Sequence, residues 1–198
     1  LEVLIGHVLC FQTLDQSAAR GQFTPPDKWH IIAFLLGDTN TGKSTFLNLI
    51  KRMLPDGSVG AITTDTKDAS FYAETLVEKR LVVCADVSPK FVEMEEFLKQ
   101  ASAHDAMSVS KKNMPMETVE WKVPFLFAGN SVPPFKDAGG AVARRFCFFD
   151  FDTKVPEADR RLNLEKDIQD TELMVVIVRC VRLYHQTRNR FPENGWFE

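Results

Sequence analysis

The residues best suited to chemistry stand together early in the chain. Gly37-Asp38-Thr39-Asn40-Thr41-Gly42-Lys43-Ser44 has the spacing G-x-x-x-x-G-K-[ST], with Thr45 next in line, and it comes directly after the apolar run Ile31–Leu36. A strand that feeds a glycine-bearing loop opening a helix converges several backbone N–H groups on one point, with the positive end of the helix dipole behind them. Such an arrangement cradles phosphate. Lys43 is placed to reach the β- and γ-phosphates of a nucleotide, and the Ser44 hydroxyl to hold the Mg²⁺ that bridges them. The helix is legible too: Phe46, Leu47, Ile50 and Leu54 recur at helical spacing over residues 44–54, and Pro55-Asp56-Gly57 stops them.

Two further polar residues close apolar runs. Arg80–Cys84 reads as a buried strand ending in Ala85-Asp86, and Phe125–Gly129 as another ending in Asn130. Strands alternating with helices imply a mostly parallel sheet, whose ligands sit at the carboxyl ends of the strands. A carboxylate at Asp86, expected on the strand next to the one that feeds the phosphate loop, can support Mg²⁺; the Asn130 amide can orient an attacking water or touch the γ-phosphate. A strand-end cap and ordinary turn chemistry are the plainer roles for the same two residues. Arg144 and Arg145 precede the aromatic run Phe146–Phe151, read as a buried strand, where a protruding guanidinium could neutralise charge on a transferring phosphoryl group. A surface ion pair is the alternative.

The helix signals continue around these strands. Leu1, Leu4, Ile5, Val8 and Leu9 share a helical face over residues 1–12, 21–27 reads as a loop, 57–64 as irregular and 68–78 as a short helix. Ser88-Pro89 is a helix start for the run through Lys99, and Leu173, Val176, Ile177, Cys180, Val181 and Tyr184 share a face of a C-terminal helix. Between them the period changes to two: Met107–Ser110 and Thr118–Val123 alternate, so the turn between them makes a hairpin bearing Lys111 and Lys112 near its tip. Those lysines either stand in solvent or grip the backbone phosphates of a nucleic-acid strand.

Composition sets the outer bounds. At 198 residues the chain is expected to be one domain with a small appendage. Cys10, Cys84, Cys147 and Cys180 are scattered without paired or metal-ligand spacing, which suits reduced thiols rather than disulfides or a zinc site. No apolar run reaches membrane-spanning length and the start lacks a basic signal region, so a soluble intracellular protein is expected. The chain opens without methionine inside a helical pattern, which suggests a fragment of something longer. A net charge of −3 argues against a broad basic face, so any nucleic-acid contact must come from a local feature.

Taken in order, GDTNTGKS, LVVCADVS, a lysine-bearing hairpin, FLFAGNSVP and ARRFCFFDF resemble the superfamily 3 helicases of DNA viruses. These are AAA+ ATPases related to the papillomavirus and polyomavirus replicative helicases and to parvovirus Rep. The likeness is strongest to the primase-helicases of poxviruses, other large DNA viruses and some phages, where a short helical segment leads into the phosphate loop as residues 1–29 do here and a Leu-Lys pair like Leu98-Lys99 leads into the hairpin. The resemblance covers about residues 1–155 and implies a three-layer α/β ATPase: a central, mostly parallel five-stranded sheet flanked by helices, plus an inserted β-hairpin. It divides the chain into a helical lead-in (1–28), the ATPase core (29–155) and a C-terminal helical segment (156–198).

By the same resemblance, Lys43 and Ser44 bind ATP and Mg²⁺, Asp86 is the Walker B carboxylate and Asn130 the polar sensor. Arg145, with Arg144 second, is the finger reaching a neighbouring subunit's ATP. Lys112, with Lys111 beside it, tracks DNA inside a homo-hexameric ring, where six copies concentrate positive charge that the acidic chain otherwise lacks; a primase domain is the expected missing partner. Relatives commonly carry two acidic residues in the second motif, and Ala85 stands where the first would be. The general base is therefore open between Asp86 acting through a water and a carboxylate from elsewhere such as Glu74. A non-enzymatic ATP-binding ring is one rival reading. A nucleotide kinase is another, though its arginine-rich lid is missing from residues 57–78.

Overall fold

Runs such as Ile32–Leu36 and Phe125–Gly129 are apolar at every position, and a strand of that kind is stable only where both faces of its sheet are covered. The computed structural model, which describes residues 1–10, 29–63, 74–87, 89–103, 105–109, 117–121, 123–136 and 139–187, covers both. In chain order the elements are α1 (Glu2–Cys10), β1 (Ile32–Leu36), α2 (Lys43–Arg52), β2 (Val59–Ala61), β3 (Leu81–Cys84), α3 (Glu95–Ser102), β4 (Ala106–Val109), β5 (Glu117–Glu120), β6 (Phe125–Gly129), β7 (Phe146–Asp150), α4 (Leu164–Thr171) and α5 (Leu173–Thr187). Five strands form one parallel sheet in the order β2-β3-β6-β1-β7, while β4 and β5 pair antiparallel as a separate hairpin.

The two faces of the sheet are chemically distinct because alternate residues point opposite ways. Ile32 and Phe34 of β1, with Phe125 and Phe127 of β6, join Phe91, Phe97, Leu98 and Trp121 in a core rich in aromatic rings. Trp121 lies flat on Phe125 at 5.4 Å between centroids and donates its indole N–H to the Val123 carbonyl at 2.7 Å. On the other face, Ala33 and Leu35 of β1 and Leu126 and Ala128 of β6 pack with Leu47 and Ile50 of α2, Leu4, Ile5 and Val8 of α1, and Cys180 of α5. The small residue at Gly6 lets α1 and α5 approach closely: a Cβ there would press into the Cys180 carbonyl and the Tyr184 Cβ. The result is an α/β fold of three layers, with helices on both sides of the sheet.

The expected elements mostly form, with differences that have physical reasons. Residues 57–64 are not wholly irregular, because Val59–Ala61 adds an edge strand too short to show a period. The helix after the phosphate loop ends at Arg52, short of Leu54: the Met53 amide is shared between the Leu49 and Ile50 carbonyls, and the last turn tightens before Pro55. The segment from Pro89 is a 3₁₀ turn through Met94 before α3 begins. β7 is an edge strand paired only with β1, so it is half-exposed rather than buried, with Phe148 36% exposed. Nor is β3 the neighbour of β1. β6 separates them, since its all-apolar sequence is buried only with strands on both sides. The loop at 21–27 and most of the helix at 68–78 lie outside the described residues, while 74–76 are helical. No helix among the described residues is long and apolar enough to cross a membrane.

Candidate nucleotide site

Because all five strands run parallel, their carboxyl ends share one edge, and the candidate residues collect there. The phosphate loop leaves β1 and turns through Asn40 (φ 65°) and Gly42 (φ 93°), both left-handed. Glycine and asparagine adopt that conformation at little cost, whereas a β-branched residue would not. Close packing fixes the start of the loop: a Cβ on Gly37 would meet the Phe151 carbonyl, so the loop lies directly against the chain leaving β7. The amide of Phe151 donates to the Leu36 carbonyl at 2.7 Å, and that of Val155 to the Asn40 carbonyl at 2.9 Å. Gly42 is the N-cap of α2, so the first amides of the helix, with no acceptors inside it, face the loop.

Lys43 folds over this loop. Its ammonium donates to the carbonyls of Gly37 and Asp38, each at 2.6 Å, and lies 3.4 Å from the Thr41 hydroxyl. Neutral carbonyls hold the charge above the loop without cancelling it, which leaves it able to meet an incoming anion. The Thr41 hydroxyl in turn donates to the Asp38 carbonyl at 2.8 Å, bracing the turn. The Asp38 carboxylate points outward to Lys154 at 2.8 Å, and this hydrogen-bonded cation holds it below the usual carboxylate range.

A cavity of about 420 Å³ opens above the loop, lined by residues 39–45 together with Ala85, Asp86 and Asn130. Three separate stretches of sequence therefore meet at one hollow. Asn130 follows β6, immediately beside β1, and Asp86 follows β3, one strand further on; at the usual strand spacing β1 and β3 are about 10 Å apart, room for a phosphate chain with a cation and a water. Two bonds pin the turn that carries Asp86. The Cys84 thiol donates to the Asp86 carbonyl at 3.6 Å, and the Val87 amide to the Ala128 carbonyl at 3.2 Å. Burial pushes the Cys84 thiol up to about 11, and the Asp86 carboxylate adds to the rise. The donors suit Mg²⁺, since an exposed hydroxyl (Ser44) and an exposed carboxylate (Asp86) line the same wall.

The arginines lie elsewhere. Arg144 and Arg145 precede Phe146, which pairs with Ile32 at the amino end of β1, so they stand at the opposite edge of the sheet from their own phosphate loop, about 16 Å away along a five-residue strand. Arg144 is exposed; Arg145 is half-buried and donates to the Ala141 carbonyl. Neither lines the cavity of its own chain, and neither does Glu74. Lys111 and Lys112 lie outside the described residues, although the strands on either side of them form the expected hairpin. Sequence reasoning missed Lys154 and the segment after β7 that braces the loop. The signal was available, since residues just beyond a parallel strand belong to the ligand edge by the same rule that picked out Asp86.

The fold and this edge define a three-layer α/β protein with its candidate residues at the carboxyl ends of a parallel sheet. The chain superposes on the apo C-terminal region of NrS-1 with TM-scores of 0.64 and 0.59 at 16% and 13% identity, covering 90% and 94% of this chain and 40% and 47% of the other. It superposes on JCV helicase with a TM-score of 0.53 at 11% identity, covering 96% of this chain and 61% of that one. At such identities the likeness is one of fold alone, and the chain spans less than two thirds of each of these structures. In sequence, residues 35–145 match the family of unknown function DUF5906, and the chain belongs to that family. A search of curated proteins by sequence finds no match.

Proposed function

We propose that the chain is the ATPase core of a superfamily 3 type replicative helicase, related to the primase-helicases of large DNA viruses and phages, working as a homo-hexamer on DNA. The observation that carries this reading is the single cavity joining the phosphate loop, Asp86 and Asn130, since those are the groups that phosphoryl transfer to water needs at one place. The loop amides and Lys43 bind the triphosphate. Ser44 and Asp86 would hold Mg²⁺, which supplies charge neutralisation at the phosphates. Water attacks the γ-phosphorus in line as the bond to the β-γ bridging oxygen breaks, with Asn130 orienting the water and Asp86 taking up its proton directly or through a second water. Arg145 completes the site from a neighbouring copy; its position at the far edge of its own sheet supports that assignment over one within the chain. The Lys111/Lys112 hairpin moves with the nucleotide cycle and draws one strand through the ring.

Single-turnover ATP hydrolysis with and without single-stranded DNA tests the reading. Stimulation by DNA is expected, and Lys112→Ala should weaken DNA binding and flatten its salt dependence while leaving ATP binding intact. A catalytically weak ATP-binding ring that scaffolds a replication complex is the second reading, favoured by Ala85, which lines the cavity where a second carboxylate would serve as base. ATP binding without turnover under any DNA condition would select it.

A further inference from the structure

A second cavity, of about 380 Å³, lies between α2 and the segment leading into α4, and Thr45 lines both it and the phosphate hollow. We infer that this second cavity receives the base and ribose of the nucleotide, with Leu162 as the platform for the ring and Asn163 and Arg161 as the polar contacts at its edge. The inference rests on the nucleotide reading above and extends it to residues outside every motif.

Three observations carry it. First, Thr45, in the first turn of α2, lines both cavities, so the second space adjoins the one over the loop and lies within reach of a molecule whose anionic tail is held there. Each cavity falls at the lower end of the range for small-molecule sites, so neither alone is ample for a whole nucleotide with its cation. Second, Leu162 is wholly exposed, at 101% of its reference area, on the rim of this cavity. A lone exposed leucine is common on protein surfaces, but this one stands beside an arginine, and together an aliphatic face and a guanidinium plane suit a flat heteroaromatic ring.

Third, the polar groups divide into engaged and available ones. Glu165 is held by the Asn48 amide at 3.0 Å and by Arg52 at 3.6 Å, Arg52 also donates to Gln169, and Lys166 pairs with Asp170. Asn163 occupies the N-cap of α4 yet makes no side-chain cap bond, although that is the usual use of an asparagine there. Its amide, which both donates and accepts, is left to read the edge of a base.

Isothermal titration with Mg²⁺-ATP and with Mg²⁺-tripolyphosphate, which has the tail without the nucleoside, tests the inference. Wild type is expected to bind ATP at least about tenfold more tightly than tripolyphosphate. Leu162→Ser and Asn163→Ala should each weaken ATP binding by about fivefold, the loss expected from one exposed contact face or one hydrogen bond, and leave tripolyphosphate binding unchanged. Both side chains stand outside the core, so the variants are expected to fold. Equal affinity of wild type for the two ligands, or variants with undiminished ATP affinity, overturns the nucleoside subsite while leaving the phosphate site standing. Variants that lose affinity for single-stranded DNA but not for ATP assign the cavity to nucleic acid and overturn it as well. Failure of both ligands to bind removes the phosphate site and the subsite together.

Discussion

In the proposed reading Lys43 and Asp86 divide the work of the site, and their surroundings say how. The ammonium of Lys43 rests on main-chain carbonyls rather than on a carboxylate, so replacing it removes charge without leaving a buried acid unpaired. Lys43→Ala should therefore lower ATP affinity by about two orders of magnitude with little change in melting temperature, read by titration and thermal unfolding. Asp86→Asn keeps the shape of the strand-end turn, which backbone and thiol hold, and should reduce hydrolysis at least about a hundredfold while nucleotide binding survives. Cys84, beneath that turn, carries a pH signature. Its thiol is raised from 9.0 to about 11 by burial, so folding favours the protonated form. That stability is complete below about pH 9 and is lost as pH rises through 11, up to roughly 2 to 3 kcal/mol at the limit. Urea unfolding at pH 8 and pH 10.5 should show a smaller fall in Cys84→Ala than in wild type, whatever that variant's stability at the lower pH.

Elements with a strong period or a strong motif are legible in the chain itself: β1 with its loop, the apolar strands β3 and β6 and the face of α5 form where their residues place them, while α2 ends at Arg52 before Leu54 and the second arm of the hairpin ends at Glu120, before the alternation does at Val123. Order is what periodicity cannot convey. It reports which faces are buried and not which strands are neighbours, so the intrusion of β6 between β1 and β3 and the edge position of β7 emerge only from the sheet. A three-residue strand such as β2 is too short to show a period at all. The site is half legible for the same reason. Motifs pick out the residues that flank the cavity at the strand ends, whereas Lys154, which pairs with Asp38 of the loop, belongs to no motif and reaches it only through folding. At this scale the close crossing of α1 and α5 is the sharpest commitment. Gly6→Ala should destabilise the protein by about 1 to 3 kcal/mol in thermal or denaturant unfolding, because the added methyl meets backbone of the partner helix rather than a side chain that can swing away.

On the scale of the whole molecule, the sheet separates the phosphate loop and the arginine pair to opposite edges, so neither Arg144 nor Arg145 lines the cavity of its own chain. Two copies arranged head to tail would join the loop edge of one to the arginine edge of the next, a heterologous contact that closes into a ring when its rotation allows. Mixing variants tests this most directly. On the proposed reading Lys43→Ala binds ATP too weakly to turn it over well but keeps its arginine, and Arg145→Ala binds ATP but lacks the finger. Each alone should hydrolyse ATP at least about a hundredfold more slowly than wild type, within the range ascribed to such fingers. Mixed in equal amounts at a concentration that supports assembly, they should regain a substantial fraction of wild-type hydrolysis, because some interfaces then pair an intact loop with an intact arginine. A mixture no more active than the better of its two components would contradict a site shared between copies.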